Sequence, residues 1–219
     1  MIKAGVFDMD GVLVRSEPFY RWRRSSFLEL HGMRLPEGFD ATGSNDQEVW
    51  RALVPDDSEK RERLRSLYLE YAHAHRPPWR DILNPGVRET LLGLRARGVL
   101  TGICSSSRRP FVEDFVATVG MEGLFDDLMT GDDCDVLKPD PEPYRRAMGH
   151  LDAHPEETVV VEDSPIGIRA GKAAGALVCA LRQPDGVWLD QSEADLVIDE
   201  LPELVGMVEE IGGDDEAEE

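Results

Sequence analysis

Apolar residues recur along this chain with two periods, and the change of period divides it. From Ala4 to Phe7 every position is apolar or glycine, as in a short strand buried on both faces, and the run breaks off at Asp8-Met9-Asp10-Gly11. The spacing then becomes helical. Phe19, Trp22, Ser26, Phe27 and Leu30 fall at steps of three and four and predict a helix ending near Gly32. Ser44 with Gln47 is a capping-box signature for a helix through Trp50 and Leu53. Leu64, Leu67, Tyr68, Tyr71 and His75 mark a longer one, opened by Asp56 with Glu59 and stopped at Pro77-Pro78.

From Pro85 onward, helices and short strands alternate. Helices are predicted through Val87 to Leu94, Phe111 to Val119, Pro141 to Leu151, Pro165 to Ala174 and Pro202 to Ile211; strands are predicted at Val99 to Cys104, Asp127 to Thr130, Thr158 to Val161, Leu177 to Leu181 and Leu196 to Ile198. Such alternation means parallel βαβ units. The predicted fold class is α/β, a doubly wound parallel-sheet core of residues 1–15 and 84–211 with an inserted all-helical cap of residues 16–83. The acidic stretch 212–219 reads as a disordered tail.

Composition narrows the function. The 219 residues carry 44 acids against 24 bases, a formal net charge of -20, and the only lysines are Lys3, Lys60, Lys138 and Lys172. Such a surface repels nucleic acid and anionic membranes, so neither is an expected partner. It also repels phosphorylated metabolites, so any phosphate site must supply its own positive charge. The acidity itself reads as solubility or a salty habitat. Cys104, Cys134 and Cys179 form no CxxC pair and suit a reducing compartment. No signal-peptide pattern opens the chain and no apolar run nears the roughly 18 residues of a membrane span, so the expected location is the cytoplasm.

Candidate chemistry stands at the C-terminal ends of the predicted strands, where open α/β sheets bind ligands. Asp8 and Asp10 follow the first strand, Ser105 to Ser107 the second, Lys138 the third, and Glu162 with Asp163 the fourth. Each has a plain structural reading alone: a turn, a helix cap or a solvated loop lysine. Together they place acids, a base and a hydroxyl at one sheet edge.

Asp8-Met9-Asp10-Gly11-Val12, Ser105 after its strand, Lys138-Pro139-Asp140-Pro141 and Glu162-Asp163-Ser164-Pro165-Ile166-Gly167-Ile168 stand in order over residues 2 to 200. In these motifs the chain resembles the haloacid dehalogenase-like hydrolase superfamily, in the helical-cap branch that holds β-phosphoglucomutase-like sugar phosphatases and mutases. The resemblance implies a Mg²⁺-dependent phosphatase for a small phosphorylated metabolite, working as a monomer. Asp8 would be the nucleophile that becomes an aspartyl-phosphate, and Asp10 the acid and base. Ser105, Ser106, Gly11 and Lys138 would hold the phosphate, and Asp8, Asp10 through its carbonyl, Glu162 and Asp163 would hold the metal; Arg108 and Arg109, nearer the cleft than the cap arginines, are read either as substrate contacts or as surface pairs. On this reading Asp8→Asn eliminates turnover, and Lys138→Ala lowers it with little effect on folding.

Several alternatives stay open. A mutase needs a basic grip on a second phosphate, but Ser44-Asn45-Asp46-Gln47 after Gly43 holds no base, and Arg15 and Tyr20 stand where relatives commonly carry aspartate and histidine. A haloalkanoate dehalogenase has no use for Asp10, a receiver module lacks the helical insertion, and a non-catalytic phosphate-binding protein would keep the same residues. Arg21, Arg23 and Arg24 are read either as a second anion site or as solvated, and Trp22, Trp50 and Trp79 as cap core and hinge packing. Hinges near Arg15 and Asn84-Pro85-Gly86 predict a moving cap.

Overall fold

The computed structural model describes residues 1–39, 41, 46–184 and 188–213. The capping box at Ser44, the loop after Gly43 and residues 214–219 of the expected tail lie outside them. The chain forms two compact units, one of Met1–Arg15 with everything from Trp79 onward, the other of Ser16–Pro78.

The first unit is built on β1 (Ala4–Phe7), β2 (Leu100–Cys104), β3 (Asp127–Met129), β4 (Thr158–Glu162), β5 (Leu177–Leu181) and β6 (Leu196–Ile198), all parallel in the order β3-β2-β1-β4-β5-β6. Alternate strand residues feed two cores. Phe7, Ile103, Val159, Val161 and Cys179 pack with α4 (Val87–Ala96), α5 (Arg109–Val119) and α8 (Glu203–Gly213). Val6, Cys104, Met129, Val160 and Val178 pack with α6 (Glu142–His150) and α7 (Pro165–Ala174). With both faces covered, strands can be apolar throughout, which is why these short runs were visible in the sequence. The order reverses between β1 and β4, so the residues just past those two strands meet at the crevice of the switch point.

The return to this unit comes at Trp79, ahead of the boundary expected at residue 84. Trp79 is buried here because its ring meets Phe115 edge-on and its indole N–H donates to Asp114 at 2.8 Å. Arg15 then donates its N–H to the Ile82 carbonyl at 2.7 Å, and Leu83 bridges Val14. At the other end α8 runs on to Gly213, two residues into the expected tail.

The second unit holds α1 (Glu17–Leu30), α2 (Asp46–Leu53) and α3 (Ser58–Ala74) around Phe27, Leu28, Trp50, Leu64 and Tyr68. The buried stripe of α1 is not the one predicted. Arg23, Phe27 and Leu28 face inward, whereas Trp22 is 51% and Leu30 71% exposed. Arg23 can be buried because the Phe19, Tyr20 and Tyr68 rings lie 4.9–5.5 Å from its guanidinium, which donates to the Tyr68 hydroxyl and the His75 carbonyl. It is a core cation and no solvated base. The N-cap of α3 is Asp57, one residue past the expected Asp56, its carboxylate accepting from the Lys60 N–H at 2.9 Å. No described helix is long and apolar enough to cross a membrane.

Candidate active site

Asp8 is the first residue past β1 and is fixed by its N–H, which donates to the Val161 carbonyl of β4 at 2.9 Å. Its carboxylate accepts from Lys138 Nζ at 2.6 Å. Lys138 reaches in from the loop after β3 and uses its other protons on Glu162 Oε1 at 2.7 Å and the Cys104 carbonyl at 2.8 Å. The Tyr144 ring of α6 lies 4.6 Å from the ammonium, and its hydroxyl donates to Glu162 Oε1 at 2.7 Å. The other Glu162 oxygen accepts from the N–H groups of Asp163 and Ser164 and from Ser164 Oγ, at 3.1–3.2 Å. Glu162 is thus saturated by five donors.

Asp163 is in the opposite condition. It is 4% exposed, and among the described residues nothing donates to its carboxylate. The group lies flat on Gly11, where a Cβ would come within 2.1 Å of Oδ2 and where φ is +97°. One oxygen each of Asp8, Glu162 and Asp163 lies within 4.8 Å of the others.

The electrostatics follow from burial. Desolvation pushes the Asp8 carboxyl up to about 8 although Lys138 is adjacent, and Glu162 and Asp10 add to the rise. Burial, with Glu162 and Asp8 close by, holds Asp163 well above the ordinary carboxylate range. Burial acts on Glu162 as well, but Lys138 and the Tyr144 and Ser164 donors outweigh it and bring its carboxyl below the usual value. Burial works against the Lys138 ammonium, yet Asp8 and Glu162 hold its pKa well above normal. Three buried carboxylates face one ammonium, and one of them has no donor among the described residues. Hard oxygen donors with unbalanced negative charge fit a divalent cation such as Mg²⁺, with Asp8 and Asp163 the oxygens left to take it.

Asp10 is not among the clustered carboxylates; its Oδ2 accepts from Ser107 Oγ at 2.9 Å. The sequence named Ser107 only as a neighbour of Ser105. Ser105 is buried, and its Oγ accepts from the Ser107 N–H at 3.0 Å, which leaves its own proton free to donate. Other expected phosphate ligands sit differently. The Gly11 N–H is committed to the Val14 carbonyl at 2.8 Å, so Gly11 serves the site by lacking a side chain. Ser106 is exposed, and Arg108 is an exposed residue whose Nε donates to Asp132 at 3.3 Å. Lys138, its side chain 6% exposed between two carboxylates, is also a structural residue, so its removal is expected to cost stability. No pattern in the sequence pointed to Tyr144, or to Gln191, whose amide donates to the Asp163 carbonyl at 2.9 Å.

A family model for haloacid dehalogenase-like hydrolases matches residues 2–175. The chain belongs to this family. It is an enzyme, a hydrolase of the phosphatase class. A relative from Streptomyces hygroscopicus subsp. limoneus, named validoxylamine A 7'-phosphate phosphatase, is 31% identical over 93% of this chain and 96% of its own. Pyrophosphatase PpaX of Halalkalibacterium halodurans is 28% identical over 94% of this chain and 97% of its own. Among solved structures, a mutant of CbbY from Rhodobacter sphaeroides in complex with xylulose-(1,5)bisphosphate is 25% identical, with a TM-score of 0.73 over 93% of this chain and 96% of that one.

Proposed function

We propose that this hydrolase removes phosphate from a small phosphomonoester, a sugar or polyol phosphate, by way of an aspartyl-phosphate on Asp8. The observation that carries the reading is Asp8 itself, a buried carboxylate clamped by Lys138 at the edge of β1, with a second carboxylate, Asp10, bonded to Ser107 two residues on. An Asp8 oxygen attacks phosphorus and the ester P–O bond breaks. Asp10 gives its proton to the departing alkoxide. As a carboxylate it then takes a proton from the water that attacks the phosphoryl group, and the P–O bond to Asp8 breaks to release inorganic phosphate. Lys138 offsets charge on Asp8 and the phosphoryl oxygens, and the free Ser105 proton donates to one of those oxygens.

Mg²⁺ held by Asp8, Asp163 and the main-chain oxygen of Asp10 would offset the negative charge of the transferring phosphoryl group. Glu162, with both oxygens engaged, supports that set by holding Lys138 and the Asp163 main chain. The relatives named for a 7'-phosphate and for a sugar bisphosphate complex support an organic phosphate as substrate. The pyrophosphatase relative makes inorganic pyrophosphate the rival.

The test is release of inorganic phosphate from a panel of sugar and polyol phosphates and pyrophosphate, with and without Mg²⁺, by the parent and by Asp8→Asn. Expected is Mg²⁺-dependent release from at least one monoester, lost in the variant. A panel left intact, or a variant at the parent's rate, overturns the reading. Pyrophosphate as the preferred substrate replaces its substrate class, and β-glucose 1-phosphate converted with its phosphate retained identifies a mutase instead.

A further inference from the structure

Among the buried polar side chains that the mechanism leaves unused is that of Asn84. Asn84 is 7% exposed, at the point where the chain has just bridged back to Val14. Its amide nitrogen donates to the Val12 carbonyl at 2.6 Å and to the Gly11 carbonyl at 3.2 Å, while its own N–H donates to the Leu13 carbonyl at 2.9 Å. One residue therefore satisfies three successive carbonyls of the turn that comes after Asp10. The Gly11 carbonyl takes a second donor, Gln183 Nε2 at 3.1 Å.

The orientation of the amide is forced. Its oxygen accepts from Arg15 Nε at 2.6 Å, and a guanidinium has only donors while main-chain carbonyls only accept, so the flipped amide would lose every partner. Within the turn, Leu13 and Val14 both donate to the Met9 carbonyl and Gly11 donates to Val14. This turn sets where Asp10 stands with respect to Asp8. Carbonyls buried without donors are costly, so the turn depends on residue 84 to keep its shape.

We propose that Asn84, oriented by Arg15, is a positioning residue for catalysis that holds the turn carrying Asp10 beside Asp8. It touches neither substrate nor reacting atoms. The inference rests on the phosphatase reading for its catalytic half, and on geometry alone for its structural half.

Asn84→Asp keeps the size of the side chain and the acceptor for Arg15 but sets an oxygen against the Val12 and Gly11 carbonyls. Arg15→Met removes the orienting donor from an exposed position and decides the matter if the first variant does not fold. The probes are steady-state hydrolysis of p-nitrophenyl phosphate with Mg²⁺ and hydrogen exchange of a peptide spanning residues 9–14. For Asn84→Asp we expect kcat to fall about 30-fold with KM within about threefold, as for a misplaced reacting group. Amide exchange in the 9–14 peptide should rise at least about tenfold, with that of β4 unchanged, as local opening of the turn requires. Arg15→Met should move both readouts the same way by a smaller factor.

A purely structural role would lower the melting temperature and leave kcat per folded molecule intact, and that result overturns the proposal. So does unchanged exchange in both variants. The two possible failures separate. A parent inactive on p-nitrophenyl phosphate and on the phosphate panel sinks the phosphatase reading and the catalytic half with it, with exchange still deciding the clasp. An active parent with unaltered variants sinks the clasp alone.

Discussion

The two flanks of Asp8 are built on different plans. On the β4 flank, Lys138, Tyr144, Glu162 and Ser164 form a connected set in which both Glu162 oxygens and the Lys138 ammonium are engaged, and among the described residues only the neighbouring Asp163 carboxylate has no donor. On the β2 flank, Ser107 donates its N–H to Ser105 Oγ and its hydroxyl to Asp10, the Ser105 hydroxyl keeps its own proton to donate, and Ser106 and Arg108 stand in solvent. The closed flank fixes charge in advance, which a low-dielectric site needs if it is not to reorganise during reaction. On the proposed mechanism the open flank keeps the groups that exchange partners with substrate and water.

If this contrast holds, damage on the closed flank should affect both turnover and folding, and damage on the open flank turnover alone. The largest effect belongs to Asp8, which both flanks share. Asp8→Asn should cut kcat by on the order of 10⁴-fold or more in a phosphate-release assay, with the fold retained by circular dichroism. Lys138→Ala should lower kcat by about 10³-fold. It should also destabilise the protein by about 3 kcal/mol in urea titration, since it strands two buried carboxylates. An unchanged midpoint would return Lys138 to a purely chemical role.

Metal removal tests the same flank through pH. A carboxyl whose folded-state pKa lies above its unfolded value binds its proton more tightly when folded, so stability falls as pH rises from the unfolded toward the folded pKa. For Asp8 that window runs from about 4 to about 8. Without divalent cations, the melting temperature should therefore drop between pH 5 and pH 8. Mg²⁺ or Asp8→Asn should flatten the drop, and a parent already flat without metal would contradict the buried charge imbalance.

Smaller effects mark the open flank. Ser107→Ala should lower kcat about tenfold by removing the Ser107 hydrogen bond to the Asp10 carboxylate, with the melting temperature unchanged. Arg108→Ala should alter kcat/KM by less than about twofold, as for an exposed residue whose Nε donates to Asp132. A tenfold rise in KM would instead restore it as a phosphate ligand.

Legibility in the sequence follows the same divide between repeating and unique features. Short apolar runs announced all six strands, and because parallel strands all end at one edge, their last residues could be brought together before any coordinates. What has no period stayed hidden. Nothing in the spacing relates Tyr144 to Glu162, Asn84 to Gly11 or Ser107 to Asp10, each a single contact between chain segments far apart in sequence. Hydropathy also turned α1 the wrong way, because it assigns arginine to water, whereas three aromatic faces and a tyrosine hydroxyl make Arg23 a core residue and leave Trp22 outside. The partner of the Gly11 N–H was hidden for a related reason: the motif marks the residue, while the Val14 carbonyl it bonds depends on a turn that only the fold closes.

Gly167, in the first turn of α7, has a hydrogen where any other residue would place a Cβ atom 1.7 Å from Glu162 Oε1. That oxygen is the one shared by Lys138 and Tyr144. A single added carbon on a helix outside the chemistry would push the shared acceptor aside and unseat the lysine from Asp8. The tolerance of this enzyme to redesign is therefore narrowest at a position that carries no functional group, and a mutational library scored for activity should find Gly167→Ala as harmful as many changes to the reacting residues.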